Sequence, residues 1–192
     1  MFEVREEPPT LATLQGYGEV SIAFPVESRL RVEPVRNGLG GWLITEQAVE
    51  HPWTKDYDAI EGEGPTRWAS RFDISNWGVI SVFQEAKRIG GAVIAFNTPG
   101  VYMLEGSPTL AVLWDIRVRP EHRRNGTGSL LFPHVVAWAK SRHCTHLKVE
   151  TQDINVPACK FYARMGCELR AIHRDAYTDL PDETQLLWYK QL

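Results

Sequence analysis

Residues 118–129, Val-Arg-Pro-Glu-His-Arg-Arg-Asn-Gly-Thr-Gly-Ser, constrain what this chain can fold into more than any other stretch. An apolar, β-branched run precedes them, and an apolar stretch with helical spacing follows. A strand must therefore turn into a helix through a basic, glycine-containing loop. Glycines allow a close backbone approach to a ligand. The first N–H groups of the helix have no acceptor within it and favour an anion, with the helix dipole behind them. Arg123 and Arg124 add fixed positive charge and forked donors, so the loop reads as a pyrophosphate site.

The chain has 192 residues, which suits one domain spanning 1–192 with a sizeable core. Its formal charge of −3 gives no general attraction to nucleic acid or to an anionic membrane. No apolar run approaches a membrane span. Three cysteines, Cys144, Cys159 and Cys167, do not make a disulfide framework and read as reduced thiols of a cytoplasmic protein. The stretch Met1-Phe2-Glu3-Val4-Arg5-Glu6-Glu7 is acidic and has no apolar segment, so no secretory signal is expected.

Along the chain, residues 1–16 read as a loose or extended arm marked by Pro8 and Pro9. Residues 17–35 alternate apolar and polar, with Pro25 pointing to an edge or a bulge. Residues 45–51 read as a short helix, and 61–65 as a loop. Strands are expected over 77–84 and 89–98 as a hairpin, then over 109–118 and 146–151. Between the last two lies a helix over 127–142, with Pro133 inside it and a kink expected there. A helix over 157–165 and strands over 167–174 and 184–190 complete the series. This is a mixed α/β (α+β) pattern, and the unit around 110–151 should be a parallel, right-handed crossover.

Three anion-binding patterns compete for the glycine loop. A P-loop needs a lysine that is missing here, and a dinucleotide fingerprint needs a third glycine. Arg123, Gly126 and Gly128 fill the third pattern, Arg/Gln-x-x-Gly-x-Gly/Ala, which resembles the coenzyme A loop of the GNAT N-acetyltransferase superfamily. The segment Glu150-Thr151-Gln152-Asp153-Ile154-Asn155-Val156-Pro157-Ala158-Cys159-Lys160-Phe161-Tyr162 resembles that family's second cofactor motif. More narrowly, it is similar to the streptothricin acetyltransferase branch, which modifies a polycationic antibiotic. The resemblance covers roughly residues 77–190. It implies a GNAT-like, mostly antiparallel central sheet with flanking helices and a V-shaped cofactor cleft between two parallel strands. It also implies acetyl-CoA (coenzyme A) as cofactor, held by Ile116, Arg117, Val118, Arg123, Arg124, Asn125, Gly126, Thr127, Gly128, Ser129, Asn155 and Tyr162. Cys167 departs from the family in replacing an aromatic residue.

Acetyl transfer from a thioester to an amine needs a base, because only about one lysine-type amine in two thousand is neutral at pH 7. It also needs a donor for the oxyanion and an acid for the leaving thiolate. The resemblance implies Tyr162 as the acid; without it, the residue reads as a core aromatic beside Phe161. Asp115 interrupts an apolar strand just before the loop and reads either as the base or as the partner of Arg117. Glu150 is the second candidate for the base. The N–H of Val118 is the expected oxyanion donor, and Asn155 either binds cofactor or caps the next helix. The His143-Cys144-Thr145-His146 run is too tightly spaced for a metal site, and Cys159 has no catalytic partner in sequence, so no metal is expected. The acceptor is then a small cationic amine, met by carboxylates drawn from Asp56, Asp58, Glu61, Glu63, Asp73, Glu105, Asp175, Asp179, Asp182 and Glu183 with Trp53, Tyr57 or Trp68. A protein or peptide N-acetyltransferase and a non-catalytic acyl-CoA-binding module remain open alternatives, as does a homodimer.

Overall fold

The computed structural model describes residues 2–192. In chain order the elements are β1 (Phe2–Glu7), α1 (Leu11–Gly18), β2 (Phe24–Pro34), β3 (Trp42–Lys55), α2 (Pro65–Arg71), β4 (Gly78–Gln84), β5 (Lys87–Phe96), β6 (Leu110–Val118), α3 (Thr127–Ser141), β7 (His146–Gln152), α4 (Val156–Arg164), β8 (Glu168–His173) and β9 (Gln185–Gln191). They fall into two compact units. One comprises the residues up to Ala23 with Asp56–Val149 and Tyr189–Leu192; the other comprises Phe24–Lys55 with Glu150–Trp188. Among the described residues no helix is long and apolar enough to cross a membrane.

In the first unit the strand order is β1-β4-β5-β6-β7. The pairs β1–β4, β4–β5 and β5–β6 are antiparallel, and β6–β7 is parallel, as the strand–helix–strand pattern requires. Val79, Val82, Ala92, Val93 and Ile94 are all but inaccessible, so the middle of this sheet is covered on both faces. Thr10 caps α1 by accepting the N–H of Thr13, and the helix buries Leu14 and Tyr17. Pro65 occupies the first turn of α2, where its missing N–H costs nothing, and the helix buries Trp68. Tyr17, Trp68, Trp77 and Val112 belong to one core cluster, with Trp114 and Phe72 packed against it.

Two details of this unit position the site. First, β6 carries one extra residue relative to β5: Val93 pairs with Asp115 and Ile94 with Leu113, so Trp114 is bulged. Strict alternation would send residues 114 and 115 to opposite faces. With the bulge, Trp114 packs edge-on against Trp68 and Phe72 while Asp115 bonds Tyr17, whose ring neighbours Trp68. Second, Gly91 leaves room for the Tyr17 ring. A Cβ there would lie 2.8 Å from Tyr17 Cε2 and 2.9 Å from the carbonyl oxygen of Ile80. Gly91→Ala is expected to cost about 1–3 kcal/mol of stability, measured by chemical denaturation, because neither backbone nor buried ring can yield cheaply.

In the second unit β2 and β3 form an antiparallel ribbon, with a bulge between Val26 and Ser28 next to Pro25. The C-terminal end of β7 neighbours β9, and β9 neighbours β8. Asp153 donates its N–H to Thr184, which closes that end of the β7–β9 pair. Within the unit Arg29 binds Asp153 at 2.6 Å and Lys55 binds Glu183 at 2.5 Å.

Three expectations need correction. Residues 2–7 are extended but paired as a strand, and 11–18 are a helix rather than part of an arm. The charges of β1 hid it, yet Glu7 binds Arg88 and Glu6 accepts the indole N–H of Trp138. The alternation read over 17–35 begins only at Phe24, because Tyr17 belongs to α1. Residues 45–51 lie inside the 14-residue strand β3, where Ile44, Thr45 and Val49 fit a paired strand better than a helix.

Candidate active site

The loop between β6 and α3 is built as an exposed turn on a fixed base. Arg124 and Gly126 are left-handed, at φ 60° and 84°, and a Cβ on Gly126 would meet nothing within 4 Å. Arg124, Asn125, Gly126 and Ser129 are exposed, and Gly128 is half-buried. Leu130 makes the first intrahelical bond, to Gly126, so the N–H groups of residues 127–129 precede the helical ladder. Thr127 is buried, and its hydroxyl donates to the His122 carbonyl at 3.3 Å, which fastens the helix start to the loop.

Arg123 does not project as a free phosphate ligand. Its guanidinium donates to the main-chain oxygens of Val118 (2.8 Å), Ala23 (2.6 Å) and Ser21 (2.9 Å). Burial lowers its pKa, and the charge of Glu121 only partly opposes this. Arg123 therefore braces the loop, and the exposed guanidinium at the turn belongs to Arg124.

The β6–β7 ladder pairs only Leu110–Leu113 with His146–Val149, ending where Trp114 bulges. Arg119 donates its N–H to Ile89 of β5 at 2.8 Å. By strand alternation the N–H groups of Val118 and Ile116 then point to the other edge of β6, past the end of that ladder. This is the edge on which an extended ligand can hydrogen-bond to a strand.

A buried ion cluster stands behind this edge. Arg117, with a fully buried side chain, donates to both oxygens of Asp115, at 2.9 and 2.7 Å. It also donates to Asp58 at 2.6 Å and to the Val20 carbonyl at 3.1 Å. The Tyr17 hydroxyl donates to Asp115 at 2.5 Å. Burial alone would lower the Arg117 pKa, but Asp115 and Asp58 outweigh it and the guanidinium is held protonated. Burial raises the Tyr17 pKa well above its ordinary value, and the Asp115 charge adds to this.

Two sequence expectations change here. Asp115 takes the paired arrangement, with the Arg117 guanidinium and the Tyr17 hydroxyl on its oxygens. The side chain of Arg117 faces this cluster, so only its main chain is left for a cofactor. Tyr17 and Asp58 complete the cluster from 98 and 59 residues away, and no local pattern marks them.

In the second unit, Glu150 is the centre of a polar group. It accepts the Tyr177 hydroxyl at 2.5 Å and the side-chain amides of Gln185 (2.8 Å) and Gln152 (3.3 Å). Burial raises the Tyr177 pKa, with the Glu150 charge next, so this phenol stays a donor to the carboxylate. Asn155 caps α4 by accepting the Ala158 N–H at 3.2 Å. Tyr162 lies on α4, 4% exposed, with the Phe161 ring 5.2 Å away. Cys159 is buried against Thr151, and burial pushes its thiol up to about 11, which suits packing rather than nucleophilic attack.

Each unit also holds a cavity. The first unit's, about 400 Å³, is lined by Gln15, Gly18 and Glu19 at the end of α1, by Asp58, and by Gly64, Pro65 and Thr66 at the start of α2. The second unit's, about 350 Å³, is lined by Arg29, Trp53, Ile154 and residues 179–183. Other expected acidic residues are engaged elsewhere: Glu63 binds Arg71, Glu105 binds Lys148, and Asp73 accepts the Ser75 N–H. Trp68 is buried in the core.

Comparison with known proteins places these features in a family context. The Acetyltransferase (GNAT) family model matches residues 42–167. Streptothricin acetyltransferase A of Bacillus subtilis (strain 168) is 29% identical over 182 residues, covering 94% of this chain and 95% of that protein. A streptothricin acetyltransferase of Streptomyces lavendulae is 32% identical over 152 residues, covering 79% and 76%. Among solved structures, a putative streptothricin acetyltransferase from Bacillus anthracis str. Ames in complex with acetyl coenzyme A shares the fold at a TM-score of 0.77, with 23% identity and full coverage of both chains.

Proposed function

The chain belongs to the GNAT acetyltransferase family and is an N-acetyltransferase that uses acetyl-CoA; from this premise we propose that it acetylates a primary amine of a small polycationic molecule of the streptothricin type. The likeness to streptothricin acetyltransferase A over 94% of the chain carries this reading. Acetylation replaces an ammonium by a neutral amide, removing charge on which a polycation depends. Resistance to such an antibiotic is the expected phenotype.

The turn at residues 124–129 fits a pyrophosphate: an exposed guanidinium, an open left-handed glycine and free first-turn N–H groups occur together. Acetyl-CoA supplies the thioester carbonyl that the amine attacks. The edge N–H groups of Ile116 and Val118 are suited to hold its amides and to meet the oxyanion. Glu150 accepts the proton lost by the amine, directly or through water, and its two amide donors and one phenol fix its orientation. As the C–N bond forms, the C–S bond breaks, and Tyr162 gives its proton to the departing sulfur. The side-chain N–H₂ of Asn155 remains a donor for cofactor while its oxygen caps α4.

The test is thiol release from acetyl-CoA with a panel of streptothricin, polyamines and neutral peptides. Release with the cationic amines supports the reading, release with peptides alone replaces it by peptide acetylation, and acetyl-CoA binding without any release makes the chain a binding module. Tyr162→Phe is expected to lower kcat by roughly 10–100-fold with acetyl-CoA affinity kept, since only the acid is lost.

A further inference from the structure

We propose that Asp58, set in place by Arg117, is the carboxylate that anchors a positive charge of the acceptor in the cavity between the end of α1 and the start of α2. The proposal rests on the reading of the acceptor as a cationic amine.

The charge balance of the buried cluster is the first argument. One guanidinium serves two carboxylates, Asp115 and Asp58, and the Tyr17 phenol is neutral. The cluster therefore carries one unmatched negative charge. Asp115 and Arg117 are closed off, with side chains 5% and 0% exposed, whereas Asp58 is 26% exposed and forms part of the cavity wall. The unmatched charge reaches solvent at Asp58.

The two oxygens of Asp58 are also not equivalent. Oδ2 takes the short bond from Arg117 at 2.6 Å, while Oδ1 is 3.4 Å from the nearest guanidinium nitrogen. Oδ1 faces Gly64, 3.8 Å from where a Cβ would stand, and glycine leaves that space open. Lone-pair capacity therefore remains on the oxygen beside the cavity. Glu19, exposed on the same wall, adds a second negative charge.

Preorganisation is the third argument. Arg117 binds Asp58 and the Val20 carbonyl together, so the chain after α1 and the chain before α2 are both tied to β6. The carboxylate is held in one position before any ligand arrives, which lowers the ordering cost of binding. An open depression of about 400 Å³ has room for a cationic arm of a small molecule.

Initial-rate kinetics of the full chain with acetyl-CoA and streptothricin test the assignment. Asp58→Asn is expected to raise the streptothricin KM about tenfold or more, the size of one charge-assisted contact, with kcat within about threefold and the acetyl-CoA KM within about twofold. Asp58→Glu should recover part of the loss. Glu19→Lys, at an exposed side chain, should raise the same KM about fivefold by placing a cation on the wall. An unmoved acceptor KM in Glu19→Lys and in whichever Asp58 variant folds overturns the Asp58 assignment alone. A loss in kcat or acetyl-CoA affinity with acceptor KM kept also overturns it. Failure of the unmutated chain to acetylate any cationic amine overturns the acceptor reading, and this assignment with it.

Discussion

Replacing Arg117 by methionine is expected to destabilise the fold by about 3–5 kcal/mol, because a buried carboxylate would lose its counter-charge. Methionine fills much of the arginine stem's volume, so the loss is electrostatic and not a cavity. Asp115 would keep only the Tyr17 hydroxyl, at 5% exposure, and the Val20 carbonyl would lose its donor. Asp115→Asn in the methionine background should restore a large part of the loss, since removing both charges costs far less than stranding one. Denaturant titration of the two single variants and the double variant gives the coupling directly. Additive single losses would show that the pair is not the unit described. Because the pair is shielded from solvent, added salt should change the result little.

The second large effect is on rate. Glu150→Gln is expected to lower kcat by about 10²–10³-fold near pH 7, with acetyl-CoA affinity kept, the loss that removing the proposed proton acceptor entails. The defect should shrink as pH rises toward the amine's own pKa, where the acceptor is already neutral. The Tyr17 pKa is raised by burial and by Asp115, so the folded chain binds that proton more tightly than the unfolded one. Its stabilising share is complete below the phenol's ordinary value near 10 and falls only above it. Between about pH 7 and 9 this share therefore stays constant. The matching variant Asp115→Asn should not show this alkaline recovery.

The regular elements of the second half were legible because their local patterns and their tertiary roles agree. The β6 strand, the glycine turn and α3 each carry their own signal, and the structure places all three where expected. The first 55 residues were harder for a physical reason. Phe2–Glu7 is a strand because β4 pairs with it, and its charges, which read as solvated, find Arg88 and Trp138 far along the chain. Trp42–Lys55 is a strand because β2 lies beside it. The site shows the same division. Arg124 to Ser129 could be named from sequence, but Tyr17, Asp58 and Tyr177 owe their roles to contacts 98, 59 and 27 residues away. Arg117 and Arg123 were visible as charge, yet their direction was not: both turn inward to carboxylates or main-chain carbonyls.

The single extra residue in β6 has a consequence for how such a site can vary. Smoothing the bulge into regular strand with Trp114 in place would shift the pairing with β5 by one residue and turn everything beyond it to the opposite face. Asp115 and Arg117 would then exchange faces with Ile116 and Val118. The charge cluster and the ligand-facing edge are thus two readings of one stretch of chain, separated by a phase offset of one. Sequences that keep the same letters but shift that phase would assemble a different surface.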